Sequence, residues 1–315
     1  MAAQLYLDPL SQGVVTAMAS TPPLDQFTVT QFRDLLRQFQ THDQLPGVDR
    51  TSFEVPVSGG TETWIYKPEG ASEPLPYIFF IHGGAFVAGD VDVYDPLTTD
   101  LVMRTGYALV FPEYKRAPEA KWPSMQEQVF EVLEWIVKNG ESKGLKADNF
   151  AVVSDSAAGI VHFNVNVFAH QKNITIPYNV FINPVASLDF LSAPTLSRYE
   201  CWDGPYLTVA LQLKFGNEYV TDAVDRTSEL ASPMNVSNET ASYFPPSLII
   251  TSSADLVRDE AEIFGQKLQQ AGRDVSIVRT DGQIHDTVLL QATRNGPTPK
   301  MIMTLIAAEL KQRLG

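Results

Sequence analysis

Residues 151–160 read Ala151-Val-Val-Ser-Asp-Ser156-Ala-Ala-Gly-Ile160. An apolar run gives way to small residues and one aspartate, and then to a stretch of helical period from Ile160 to Ala169. A continuous apolar run is the pattern of a strand covered on both faces. A strand that passes into a helix through small residues can turn sharply enough to expose a serine hydroxyl, with the N–H groups of the helix N-terminus aimed at a developing negative charge. The usual spacing for such a turn is G-x-S-x-G, and here it is Ser154-x-Ser156-x-Ala158. Serine and alanine are the next smallest residues, so the turn remains sterically open. Read alone, an ordinary helix cap explains the stretch equally well.

Outward from this stretch the chain alternates. Apolar runs occur at Tyr77–Ile81, Tyr107–Phe111, Phe150–Val153, Val180–Ile182, Leu248–Ile250 and Val275–Val278. Helical periods lie between most of them, around Tyr94–Met103, Met125–Val137 and Arg258–Gln270, and a last helix is expected from a Thr298 cap with Pro299 at its first position. Phe53–Val57 and Thr63–Tyr66, separated by Ser58-Gly-Gly-Thr61, read as a hairpin. Strand and helix in alternation give an α/β sheet with right-handed crossovers. Two regions break the pattern. Residues 1–45 hold an amphipathic helix with Phe32, Leu35, Leu36 and Phe39 on one face, capped by Thr28 with Gln31 or by Thr30. Residues 187–244 separate two strands by far more than an ordinary connection. Both regions are expected to form a cap over the carboxyl edge of the sheet, with 46–186 and 245–315 as the catalytic domain.

Composition removes several function classes. The 315 residues carry a formal net charge of −14, which disfavours nucleic acid and anionic membrane as partners. The single Cys201 permits no internal disulfide and no cysteine-based zinc site. No apolar run approaches the ~20 residues that span a bilayer. Met1–Asp8 lacks the basic and apolar regions of a secretion signal, so a cytoplasmic location is expected. No H-E-x-x-H or other clustered ligand pattern occurs, and neither metal nor cofactor is expected.

A nucleophilic serine needs an oxyanion site, a base and an acid. Ile81-His82-Gly-Gly-Ala85-Phe86 directly follows an apolar run, and its glycine pair frees N–H groups for an oxyanion while His82 braces the loop. A plain glycine turn is the simpler alternative. Of five histidines, His42 lies in the N-terminal region, His82 in the glycine loop, and His162 and His170 on the helix after Ser156. His285 follows the last strand, where it can reach across the sheet edge. Asp255 follows the preceding strand and can orient the imidazole; Asp259, one turn further on, is its competitor.

These residues together resemble the hormone-sensitive-lipase-like carboxylesterases. His82-Gly-Gly-Ala-Phe stands for the family's H-G-G-G-F/W, Tyr114-Lys-Arg-Ala-Pro-Glu119 for Y-R-L-A-P-E, and Ser154-Asp-Ser-Ala-Ala-Gly159 for G-D-S-A-G-G. Asp255-Leu-Val-Arg-Asp259 stands for D-P-L-R-D, and Asp281-Gly-Gln-Ile-His285 for D-G-M-x-H. The resemblance covers about residues 50–290. It implies an α/β-hydrolase fold, a mostly parallel sheet of about eight strands flanked by helices, with a helical cap. It also implies Ser156 as nucleophile, Asp255 as acid, His285 as base, and the backbone N–H groups of Gly83, Gly84 and Ala157 as oxyanion donors. Phe86, Asp155 and Tyr206 are expected at the substrate, and the aromatics Phe190, Tyr199, Trp202 and Phe215 either line an acyl pocket or pack the cap. The implied partner is a small-molecule ester of short to medium acyl chain; a homo-oligomer is compatible with the sequence. A serine amidase or peptidase of the same fold, and a hydrolase-like binding protein without turnover, are the alternatives. Arg116 and Asp286 stand where the pattern has an apolar residue and a glycine, and the sequence assigns neither a role.

Overall fold

The computed structural model describes residues 5–40, 45–72, 74–192, 195–221 and 223–315. His42 lies outside the described residues. Eight strands form one sheet: β1 (Val48–Val55), β2 (Thr61–Pro68), β3 (Leu75–Ile81), β4 (Ala108–Pro112), β5 (Leu145–Asp155), β6 (Tyr178–Ile182), β7 (Ser247–Ala254) and β8 (Val275–Ile284). Their spatial order is β1-β2-β4-β3-β5-β6-β7-β8. The β1–β2 hairpin and the β2–β4 junction are antiparallel, and the pairings from β4 to β8 are parallel. Every residue of β4 and β6 is buried, because helices cover both faces.

The helices are α1 (Pro9–Met18), α2 (Val29–Gln38), α3 (Val91–Thr105), α4 (Ser124–Asn139), α5 (Ala158–Gln171), α6 (Leu196–Glu200), α7 (Val209–Tyr219), α8 (Asn238–Tyr243), α9 (Arg258–Gln270) and α10 (Pro297–Leu314). Among the described residues no helix is long and apolar enough to cross a membrane. Thr28 is the cap of α2, and both bonds of its box with Gln31 are made. The last helix begins two residues before the expected start, at Pro297 after Gly296. Pro299 then falls within the first turn, where its missing N–H is one the helix would leave unpaired anyway.

Helix α1, which carries Leu10, Val14, Ala17 and Met18 on one face, was not among the expected helices. It is fixed from outside: Asp8 caps it through Ser11 N–H at 2.7 Å, the Asp8 N–H donates to Gly282 O at 2.9 Å, and Gln283 Nε2 donates to Asp8 Oδ2 at 2.8 Å. The N-terminal region is thereby tied to the end of β8. Helix α2 is tied to the loops after β3 and β4: Arg33 donates to Val87 O at 2.6 Å in the first and to Ala117 O at 3.0 Å in the second, where it also grips both oxygens of Glu119 at 2.8 and 2.7 Å.

The residues between β6 and β7 carry α6, α7 and α8 and fold onto the sheet edge. Cys201 there is fully buried, and burial pushes its thiol up to about 12. The anchor of this region is a buried ion pair. Arg198 of α6 meets Glu260 of α9 at 2.7 Å, the two side chains being 2% and 0% exposed, and Glu260 also accepts from Ala186 N–H at 2.9 Å. Removing one partner leaves the other charge buried and uncompensated. Arg198→Met is therefore expected to lower unfolding free energy by ~3 kcal/mol or more. Arg198→Met/Glu260→Leu should recover most of that loss, as read from denaturant unfolding midpoints.

Candidate active site

The parallel register brings the carboxyl ends of β3, β5, β6, β7 and β8 to one edge, the usual site for ligands in such sheets. Each expected triad residue is the first residue past its strand: Ser156 after β5, Asp255 after β7, His285 after β8. Ser156 adopts φ +51°, a left-handed backbone that a non-glycine residue holds only when its surroundings impose it. Here the Ser156 N–H donates to Ile182 O at 2.9 Å, and its carbonyl accepts from Gly159 N–H at 2.9 Å and Val185 N–H at 2.8 Å.

The small residues around the turn divide into two kinds. Gly159 is sterically obligatory, since a Cβ there would meet Pro184 Cβ at 2.6 Å and Val185 O at 2.8 Å. Ser154 uses its hydroxyl instead. Its Oγ lies 2.8 Å from His162 Nδ1, His162 Nε2 lies 2.9 Å from Asn179 Oδ1, and Asn179 Nδ2 donates to Asn166 Oδ1 at 3.0 Å. Burial holds the His162 pKa down at about 3, so the ring is a neutral strut under the turn.

Ser156 Oγ stands 2.7 Å from His285 Nε2, and His285 Nδ1 stands 2.8 Å from Asp255 Oδ2. Asp255 is held in turn by Asn183 Nδ2 at 3.1 Å and Val257 N–H at 3.2 Å. The competitor Asp259 is engaged elsewhere, by Arg258 Nε and Ser197 N–H at 2.7 Å each. His170 stacks on Tyr243, ring centroids 3.6 Å apart.

The loop after β3 differs from expectation in one donor. The Gly83 N–H does not face an oxyanion: it donates to Asp155 Oδ1 at 2.8 Å. The amides of Gly84, Ala85 and Ala157 have no acceptor within the described residues. Asp155 likewise does not line the substrate space. It is fully buried, and its second oxygen accepts from Tyr94 OH at 2.7 Å, so it spans the two halves of the site from beneath. Gly83 lacks a side chain for the same reason, because a Cβ would meet Asp155 O and Ser156 Cβ at 2.8 Å. His82 braces the loop through Nδ1, which donates to Gly83 O at 2.8 Å, and stacks on Tyr114, whose hydroxyl donates to His82 O.

Beside Ser156 lies a pocket of about 30 Å³ lined by Phe86, Phe190, Leu207, Leu211 and Phe215. Phe86, one wall of this pocket, stacks on Tyr219 with ring centroids 4.5 Å apart. Tyr206 sits on the His285 side, against the cluster of Ala254, Ile284 and Leu290. Tyr199 and Trp202 point outward and are exposed.

A sequence profile of the α/β hydrolase fold matches residues 78–289. The chain belongs to the α/β-hydrolases. An esterase of Gibberella moniliformis is 31% identical over 314 residues, covering 97% of each chain. Ethyl acetate hydrolase of Pseudomonas putida is 29% identical over 227 residues, 70% of each chain. The crystal structure of a thermostable esterase from Pseudomonas putida ECU1011 superposes with a TM-score of 0.93 at 28% identity, covering 98% of both chains. This α/β-hydrolase is a carboxylic-ester hydrolase of the hormone-sensitive-lipase-like group.

The electrostatics of this hydrolase's site are acidic. Burial alone would lower the His285 pKa, but Asp255, Asp286 and Asp155 outweigh it and hold it up at about 9. Burial raises Asp155 above the usual carboxylate range, against the bonds from Tyr94 and Gly83. Asp286 is raised well above that range by burial and by its acidic neighbours, against the pull of His285. Sequence reasoning missed Tyr94, Asn183 and Arg33, each of which acts on the site from a distant element. Asn183, with φ +44° directly after β6, carried the best signal, a polar residue at a strand's carboxyl end.

The strut beneath the elbow generates a test. Ser154→Gly restores the usual glycine but leaves His162 Nδ1 buried without a partner, at a cost of ~1–3 kcal/mol. A fall in thermal midpoint is expected by calorimetry, whereas Ser154→Thr, which keeps the hydroxyl but adds a methyl at a fully buried site, should fall through overpacking.

Proposed function

We propose that this esterase hydrolyses short-chain carboxylic esters through an acyl-enzyme on Ser156. The observation that carries the reading is the hydrogen-bonded chain from Ser156 Oγ through His285 to Asp255, with links of 2.7 and 2.8 Å. His285 Nε2 takes the Ser156 proton as Oγ attacks the ester carbonyl. The carbonyl oxygen takes the negative charge and is held by the amides of Gly84, Ala85 and Ala157, each donor contributing about 10²–10³ in rate. The proton passes to the leaving alcohol oxygen, and water, activated by the same nitrogen, releases the acid. Asp255 keeps the Nδ1 proton in place and stabilises the imidazolium.

The small pocket beside Ser156 favours the short end of the acyl range. Its open space admits a group of one to a few carbons, and Phe190 and Phe215 close its end. The name of the Pseudomonas putida relative, an ethyl acetate hydrolase, points the same way. Residues 1–45 and 187–244 serve as a cap in this reading: the first holds the oxyanion loop through Arg33, and the second supplies the pocket wall. The substrate is a small-molecule ester, and no step calls for a metal or cofactor.

Two measurements test the reading. Ser156→Ala should lower kcat/KM for p-nitrophenyl acetate by about 10⁴-fold or more with the circular dichroism spectrum unchanged; near wild-type turnover would contradict the nucleophile. Across p-nitrophenyl esters kcat/KM should peak at acetate to butyrate, and Leu211→Ala should move the peak to longer chains. A wild-type peak at long chains would contradict the pocket assignment.

A further inference from the structure

Asp286 stands where the family pattern has glycine, and it keeps a glycine-like backbone at φ +52°. Aspartate and asparagine enter this region more readily than other side chains, yet not freely. The residue is 7% exposed. Its Oδ2 lies 3.2 Å from His285 Nε2, the same nitrogen that stands 2.7 Å from Ser156 Oγ, and its Oδ1 has no partner within the described residues. An ordinary triad base has its acid on Nδ1 and only the serine on Nε2. Here two oxygens compete for one nitrogen.

The groups around the imidazole come from five parts of the fold. Asp255 approaches from the end of β7, Asp155 from the end of β5, and Asp286 from His285's own loop. Tyr94 of α3 and Tyr206 of the region between β6 and β7 feel the Asp286 charge as well. Three carboxyls in a dry site facing one imidazole favour an added proton, because each nearby negative charge stabilises the charged form of the ring. Nε2 and Oδ2 are the two atoms close enough to share it.

We propose that Asp286 is a positioning residue that acts through His285: its carboxyl shares a proton with Nε2, and the base is released to Ser156 only when that proton leaves to solvent. The inference rests on the Ser156–His285–Asp255 reading and deepens it. Once the shared proton has gone, the Nε2 lone pair accepts the Ser156 hydroxyl proton as the Oγ–carbon bond forms, and that proton later leaves with the alcohol. A carboxylate beside Nε2 has a second effect, since it stabilises the imidazolium made in that step. The high position of His285, about 9, agrees with this picture. A base with a raised pKa is charged below that pH and neutral above it, so activity rises as the solution turns alkaline.

The test compares pH profiles of kcat/KM for phenyl acetate in the wild type, Asp286→Gly and Asp286→Asn. The rate of labelling by a fluorophosphonate, followed in parallel, reads the same base without a leaving alcohol. Glycine and asparagine both suit the backbone, so folding is preserved. The rising limb should move down by about one pH unit or more in both variants. Because a weaker base also transfers the proton less effectively, the profiles should cross, the variants being faster than wild type in acid and slower on the alkaline plateau. Variants that titrate at the wild-type pH, or fall below wild type by one constant factor throughout, would overturn the proposal. Ser156→Ala serves as the control. It should neither turn over nor label, and residual activity there would overturn the triad reading and this inference together. A silent Ser156→Ala with unmoved Asp286 variants would overturn this inference alone.

Discussion

The left-handed backbone at Ser156 is the constraint from which the rest of the site follows. It turns the chain from β5 into α5 within two residues and presents Oγ to His285. A serine does not hold φ +51° by preference. It is held by three backbone hydrogen bonds, to Ile182 at the end of β6, to Val185 just after it and to Gly159 at the start of α5, and by the absence of a side chain at Gly159. The strand order matters for this reason: β6 lies beside β5, so its carboxyl end supplies the acceptor at Ile182 and the donor at Val185.

The second constraint is charge. Asp155 lies beneath the elbow and spends its oxygens on Gly83 and Tyr94, which fixes the oxyanion loop relative to the serine. Asp255 and Asp286 flank the imidazole on its two nitrogens. The site is therefore a buried acidic cluster around a single basic ring, and its protonation is a property of the group rather than of any one residue. The net charge of −14 lies mostly outside this cluster of three carboxyls.

Much of this was legible in the sequence. The six apolar runs became strands because a sheet covered on both faces needs no polar alternation, and Ser156, Asp255 and His285 lie where three of those strands end. The capping box at Thr28 was readable because its chemistry is local. What was not legible depends on partners distant in the chain. Helix α1 has a short apolar face of Leu10, Val14, Ala17 and Met18, but its start is set by the bonds of Asp8 to Gly282 and Gln283 at the end of β8. Ser154 could be read as a small residue but not as one bonded to His162, eight residues on and across a helix turn. The direction of the Gly83 N–H is set by a loop conformation that spacing does not encode, so it was assigned to the substrate and belongs to Asp155. Asp286 was visible as a departure, and its meaning required the distance to Nε2.

The central claim, that Ser156 carries the acyl group, is tested most directly by trapping it. Rapid acid quench during turnover of p-nitrophenyl acetate, followed by peptide mass analysis, should show a burst of nitrophenol. The peptide containing Ser156 should gain the mass of one acetyl group. Acetyl on another residue, or full turnover with no acylated peptide at any quench time, would contradict it.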